Sequence, residues 1–347
     1  RPLPMFESFA DVEALEEHLS RPTRGVVETF KCLDGDVIIL GAGGKMGPTL
    51  ARMVRRGLDA VGGRARCVTA VSRFTDPQAK LALERHGVAA VACDLMDEEA
   101  VRRLPDAPLV IHMTGQKFGT TDAPERTWAV NTLAPAIAAR RYGRSRFVLF
   151  STGCVYPLLP VTGPGAVEST PLTPLGEYAN ACVARERIVA YEASRSGMPL
   201  LHFRLCYAVE PRYGVIHDVA RAVAIGKPVD LGMGFVHVVW QRDASARAIQ
   251  SLALAGSPPV ALNVTGVERV LIRWLAERCG ERLGRTPTFT GAEGTEAWLW
   301  DARRAEALFG PPETTTEEAV AMVCDWIGRG GASLDRPTHF EVRDGAF

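Results

Sequence analysis

Short unbroken apolar runs recur along the first two thirds of the chain, each followed by a stretch whose apolar positions fall at helical spacing. The runs at 36–40, 66–71, 89–93, 109–113, 146–151 and 199–205 predict strands, and the stretches near 48–57, 78–87, 97–103, 124–141 and 177–197 predict helices. Parallel strands need a crossover between them, so strict strand–helix alternation predicts a parallel sheet with helices on both faces. After Leu205 the alternation loosens, with helices expected at 215–226, 243–255 and 268–283 and short strands near 228–231, 235–239 and 260–264. These later elements read as a smaller lobe.

The first strand runs directly into Gly41-Ala-Gly43-Gly44-Lys45-Met46-Gly47, with a helical stretch beginning at Pro48. Gly41 permits a tight turn. Gly43 and Gly44 let backbone N–H groups approach a diphosphate with no Cβ in the way, and Gly47 lets the helix pack close to its strand. Strand, glycine turn and helix in this order supply the context that a bare glycine triplet lacks. The expected fold class is therefore α/β, a Rossmann-type doubly wound parallel sheet with a smaller C-terminal substrate-binding lobe. Four segments are expected: an N-terminal helical extension (1–34, led by an amphipathic stretch at 9–18), a dinucleotide-binding domain (35–205), an interleaved smaller lobe (206–330) and a tail (331–347). The tail ends in Phe347 and is expected either to pack back on the body or to serve a homodimer contact.

The 347 residues, 47% hydrophobic and 23% charged, suffice for a substantial core. Forty basic residues balance forty acidic ones, which removes any bulk attraction to nucleic acid or an anionic membrane and favours a small-molecule partner. Eight cysteines form no C-x-x-C pair, and His202, His217 and His237 have no metal-ligand spacing, so reduced thiols and no metal are expected. His112, within an apolar strand, is expected to be a hydrogen-bonded core histidine. No apolar run reaches the length of a membrane span and no charged-then-apolar leader is seen, so a cytoplasmic location is expected.

At the end of the fifth strand, Ser151-Thr152-Gly153-Cys154-Val155-Tyr156 precedes a stretch, Pro171-Leu-Thr-Pro174-Leu-Gly-Glu-Tyr178, that opens a long helix. With the glycine turn, this order resembles the extended short-chain dehydrogenase/reductase family, whose members are NAD(P)-dependent sugar epimerases, dehydratases and reductases. The resemblance covers roughly residues 36 to 325. Val110-Ile-His-Met-Thr114-Gly115 resembles the family's fourth-strand segment, Cys93-Asp94-Leu95 its adenine-contacting acidic turn and Asn131 its fourth-helix asparagine. Arg204–Pro211, Phe235–Asp243, Leu262–Gly266 and Asp301–Gly310 are similar to its later segments. Tyr178 matches the family's catalytic tyrosine and Thr152 its serine/threonine partner. Hydride transfer to or from a carbinol needs such a proton carrier and a donor to the developing oxygen.

The chain departs from the family at Cys182, which stands one helical turn after Tyr178 where the family carries a lysine. The substitution removes a cation that favours tyrosinate and a donor to the cofactor ribose. Lys117 is a candidate replacement, because relatives resembling UDP-galactose epimerase carry a lysine after the fourth strand; as an alternative it is a solvated loop lysine. The second strand ends in Ser72-Arg73 with no acid to hold ribose hydroxyls, which favours NADP over NAD through contacts to a 2′-phosphate. Glu210, Arg212 and Tyr213 are candidates for substrate contact at the mouth of the smaller lobe, with an exposed loop as the alternative, and Cys154 is a further substrate candidate. The expected activity is hydride transfer at a carbinol or ketone of a sugar or sugar-derived acid; the alternative is a dinucleotide-binding sensor or scaffold that has lost turnover. The segment after Arg204 lacks the asparagine of the family's Asn-Val-Tyr-Gly-Pro stretch, which weakens the case for a nucleotide-linked sugar.

Overall fold

The computed structural model describes residues 6–117 and 123–345. Seven strands, Val37–Leu40, Val68–Ser72, Ala89–Ala92, Leu109–His112, Arg146–Thr152, Leu200–Leu205 and Val260–Val264, form one parallel sheet. Across the sheet the order is 260, 200, 146, 109, 37, 68, 89, each strand named by its first residue. The chain moves outward from Val37–Leu40 to one edge, then returns to lay Leu109–His112 on the strand's other side. That reversal opens a crevice beyond Leu40 and His112 where a ligand can sit. The two strands flanking the crevice are buried along their whole length because helices cover both faces. Alternate side chains serve different cores, Ile38 and Leu40 one face and Val37 and Ile39 the other.

Three expectations change. The strand expected at 260–264 in the smaller lobe pairs with Leu200–Leu205 and forms an edge of the main sheet. The run at 235–239 divides: Phe235–Val236 pairs with Val270–Leu271, whereas Val239–Trp240 pairs with Ala208–Val209. The N-terminal extension holds two helices, Val12–Leu19 and Arg24–Cys32, capped by Asp11 and Thr23. Glu13 and Glu16 of the first hold Arg52 of the glycine-loop helix, Gly47–Ala60, so the extension is tied to the dinucleotide-binding half.

The smaller lobe packs the helices Val215–Ala224, Ile272–Leu283 and Thr316–Gly328 around a core that includes Trp240, Trp298 and Trp300. The tail packs back on the body. Leu334 donates to the Arg212 carbonyl, Thr338 donates twice to Asp218, and Arg343 donates to the carbonyls of Gly232 and Glu296. Phe347 lies outside the described residues.

Candidate active site at the carboxyl edge of the sheet

A cavity of about 640 Å³ opens at the crevice. Gly41 has φ +88°, and a Cβ there would lie 2.6 Å from the Thr114 nitrogen, so glycine is required where the two strand ends converge. A Cβ on Gly47 would lie 2.2 Å from the Ala42 carbonyl oxygen, which is the close helix approach its position implied. Gly43 lies under the Ser72 hydroxyl, and a Cβ on Gly44 would meet nothing closer than 3.8 Å. Among the described residues, the backbone N–H groups of Gly43, Lys45 and Met46 find no acceptor in the protein. Unspent N–H groups at a helix start, facing open space that no side chain fills, fit a dinucleotide diphosphate.

On the opposite wall the cavity gathers Thr152 and Cys154 with Tyr178 and Lys117, brought together from three separate segments. Thr152 ends its strand and accepts a hydrogen bond from the Cys154 N–H, leaving its own O–H free to donate. Tyr178 occupies the first turn of the helix Gly176–Ser196 and is hydrogen-bonded to the Cys182 thiol one turn on. Burial, with Cys182 adding to it, pushes the phenol well above its ordinary pKa; Arg185 pulls the other way. Burial likewise holds the Cys182 thiol protonated. Lys117 donates to the Thr338 carbonyl at 3.3 Å, and burial lowers its pKa against the pull of Cys154, Asp218 and Cys182.

Arg185 escaped the sequence reading. It lies seven residues after Tyr178, two helical turns along the same face, and is 4% exposed at the cavity wall. Its guanidinium donates to the carbonyls of Asn131 and Phe150 and to the Asn131 side chain, and it meets no carboxylate among the described residues. A buried cation is thus kept near the phenol even without the family's lysine. Asn131 itself is fully buried and spends its side chain on Gln116, Thr127 and Arg185. It shapes the loop that carries Gly115 and Lys117 and does not line the cavity.

The remaining expected residues separate by place. Met46 and Gly115 line the cavity, whereas the Thr114 hydroxyl is buried beside Gly41 without a partner. Ser72, exposed Arg73 and exposed Asp94 lie outside it, at the ends of their own strands, and Leu95 is in the core. Arg212 reaches the wall, but Glu210 does not: the carboxylate is fully buried and grips Arg212, which also pairs with Glu16. Glu210 is therefore corrected from a mouth residue to the support of Arg212. Lys45 donates to the Ala208 carbonyl at 2.9 Å and lies 4.2 Å over the Tyr213 ring; burial brings its pKa down to about 7, against the pull of Glu210. No cluster of His, Cys, Asp or Glu suited to a metal occurs among the described residues.

His112 is a core histidine, but neither ring nitrogen finds a hydrogen-bond partner, contrary to expectation. It stacks on Phe147, and burial, with Arg185 adding to it, pushes its pKa down to about 3. Between pH 6.5 and 3 the unfolded chain takes a proton that the folded one refuses, so this contribution to stability is complete above 6.5 and is lost as pH falls. His112→Leu is expected to stabilise the fold by about 1 kcal/mol at pH 8 and by roughly 1 kcal/mol more at pH 5.5. Urea melts at the two pH values measure this; an equal effect at both would show that the ring is protonated in the fold.

The sequence profile of the NAD dependent epimerase/dehydratase family matches residues 37–241. No curated protein gives a significant match. Among solved structures, UDP-glucose 4-epimerase of Thermus thermophilus, a complex with NAD, is 22% identical with a TM-score of 0.69, covering 85% of this chain and 99% of its own. A UDP-glucuronic acid 4-epimerase variant from Bacillus cereus, in complex with NAD and a fluorinated UDP-sugar, is 15% identical with a TM-score of 0.70 and the same coverage. The dTDP-glucose 4,6-dehydratase of Bacillus anthracis, in complex with NAD, is 15% identical with a TM-score of 0.71, covering 85% and 97%. These likenesses show a shared fold, and the profile spans more than half of the sequence: the chain belongs to the NAD dependent epimerase/dehydratase family.

Proposed function

We propose that this chain is an oxidoreductase that uses NADP, or NAD, to interconvert a carbinol and a ketone on a sugar or sugar-derived acid. The observation that carries the reading is that Thr152 and Tyr178 share one cavity with the glycine cradle. A bound nicotinamide supplies or accepts the hydride. The chain acts at the oxygen: in reduction Tyr178 gives its phenolic proton to the carbonyl oxygen, and in oxidation it takes that proton back. Thr152 donates a hydrogen bond to the same oxygen, while Lys117 and Arg185 supply positive potential in place of the missing lysine. Burial keeps the phenol in the protonated form that reduction requires of a donor.

The nucleotide sugars bound by several structural relatives suggest a sugar-like substrate here. Mass spectrometry of cofactor carried through purification, followed by absorbance at the reduced-nicotinamide band with a polyol and sugar-acid panel, tests the reading. Cys182 in place of lysine supports a second reading, a binding-only sensor or scaffold, which would bind NADP(H) and exchange hydride with no member of the panel. For the cofactor, Ser72 and Arg73 end the second strand without an acid. Arg73→Ala is expected to weaken NADP binding by roughly tenfold or more, the loss of a charge-assisted contact, and to leave NAD binding unchanged. Equal effects on both dissociation constants would remove Arg73 from the cofactor site.

A further inference from the structure

The cavity wall carries five basic side chains, Lys45, Lys117, Arg185, Arg212 and Arg336, against one acid, Glu16. Arg212 is neutralised by Glu210 and Glu16, and Arg185 is spent on carbonyl and amide oxygens. Arg336 differs: it is an exposed tail residue at the boundary of this cavity and the groove on the smaller lobe, lining both, and it makes no hydrogen bond or ion pair with any described residue. The Tyr213 hydroxyl, whose ring lies beneath Lys45, is also without a hydrogen-bond partner among the described residues; burial and then Asp218 push its pKa up, and Arg336 pulls it down. Three donors from the tail, the glycine loop and the segment after Leu205 thus face one space. The diphosphate has its own donors in the glycine loop, so these side chains are available to a second anion.

The tail also limits the size of what can bind. Ser333, Asp335, Phe340 and Glu341 line a separate groove of about 480 Å³ on the smaller lobe, and the strap between the two spaces is fixed by Thr338 on Asp218 and by buried Phe340. A ligand reaching from Tyr178 into the smaller lobe would have to displace it. A nucleotide carried on the substrate would extend past Tyr178 against this strap, whereas a small acid would not.

Resting on the oxidoreductase reading above, we infer that Arg336, with Tyr213 and Lys45, holds the carboxylate of a small sugar acid that carries no nucleotide. Arg336 is then a specificity residue delivered by the C-terminal strap.

Calorimetry on the NADP-saturated protein tests this with glucuronate and galacturonate, their neutral parents glucose and galactose, and UDP-glucuronate. At least one free acid is expected to bind about tenfold or more tightly than its neutral parent and than UDP-glucuronate. Arg336→Gln is expected to remove that advantage with NADP affinity unchanged, and Arg336→Lys to restore part of it. Tighter binding of UDP-glucuronate, absence of binding by both acids, or an unchanged acid-to-neutral ratio in Arg336→Gln would each overturn the inference. Failure of NADP itself to bind would instead overturn the oxidoreductase reading, and this inference with it.

Discussion

Replacing Tyr178 by Phe is expected to lower turnover by roughly a hundredfold to ten-thousandfold, the range that a positioned proton carrier contributes. Fold and dinucleotide affinity should hold, because the change removes one oxygen whose bond goes to the neighbouring Cys182 thiol. The pH profile gives a second readout. With the phenol pushed above its ordinary range by burial, the reductive rate should keep its proton donor through pH 9, whereas the oxidative rate should still be climbing there. Arg185 is the cation set against that upward push, so Arg185→Gln should lower the oxidative rate throughout that range and move its rise to higher pH. Steady-state rates in both directions from pH 6 to 9.5 measure this. Full turnover in Tyr178→Phe would assign the ring to packing and favour the binding-only reading.

The sheet was legible because parallel strands buried on both faces must be continuously apolar, and Val37–Leu40 and Leu109–His112 are. The glycine loop was legible for a related reason: only glycine tolerates the convergence of Gly41 on Thr114 and of Gly47 on Ala42. What escaped depends on partners distant along the chain. Nothing in Val260–Val264 says which strand it pairs with, and an apolar run such as 235–239 cannot show that its halves turn to different neighbours. The strap has no periodicity; its place is set by contacts of Leu334, Thr338 and Arg343 with residues over a hundred positions away. Arg185 was hidden by the family pattern, which directs attention four residues beyond the tyrosine rather than seven.

Glu186, next to Arg185 and buried against Arg204 and Ser151 of the sheet, should produce the largest loss of stability. Its carboxylate takes two bonds from Arg204, at 3.0 and 2.7 Å, and one from the Ser151 hydroxyl. Arg204 continues to the Tyr156 hydroxyl, which donates to Asn263. Four elements converge on this network: the Thr152 strand, the Tyr178 helix and the two strands beyond. Burial alone would push the Glu186 carboxyl up, yet the Arg204 guanidinium, with His202 and the Ser151 hydroxyl, more than reverses it. Glu186→Ala leaves that guanidinium buried without a counter-charge, at a cost of about 3–5 kcal/mol. Removing both charges should cost less than removing one, so Glu186→Ala with Arg204→Met is expected to recover part of the loss. Urea denaturation of the two single variants and the double variant forms the cycle that checks it. If the double variant falls by the sum of the single losses, Glu186 and Arg204 contribute independently and the network does not fix the floor of the site.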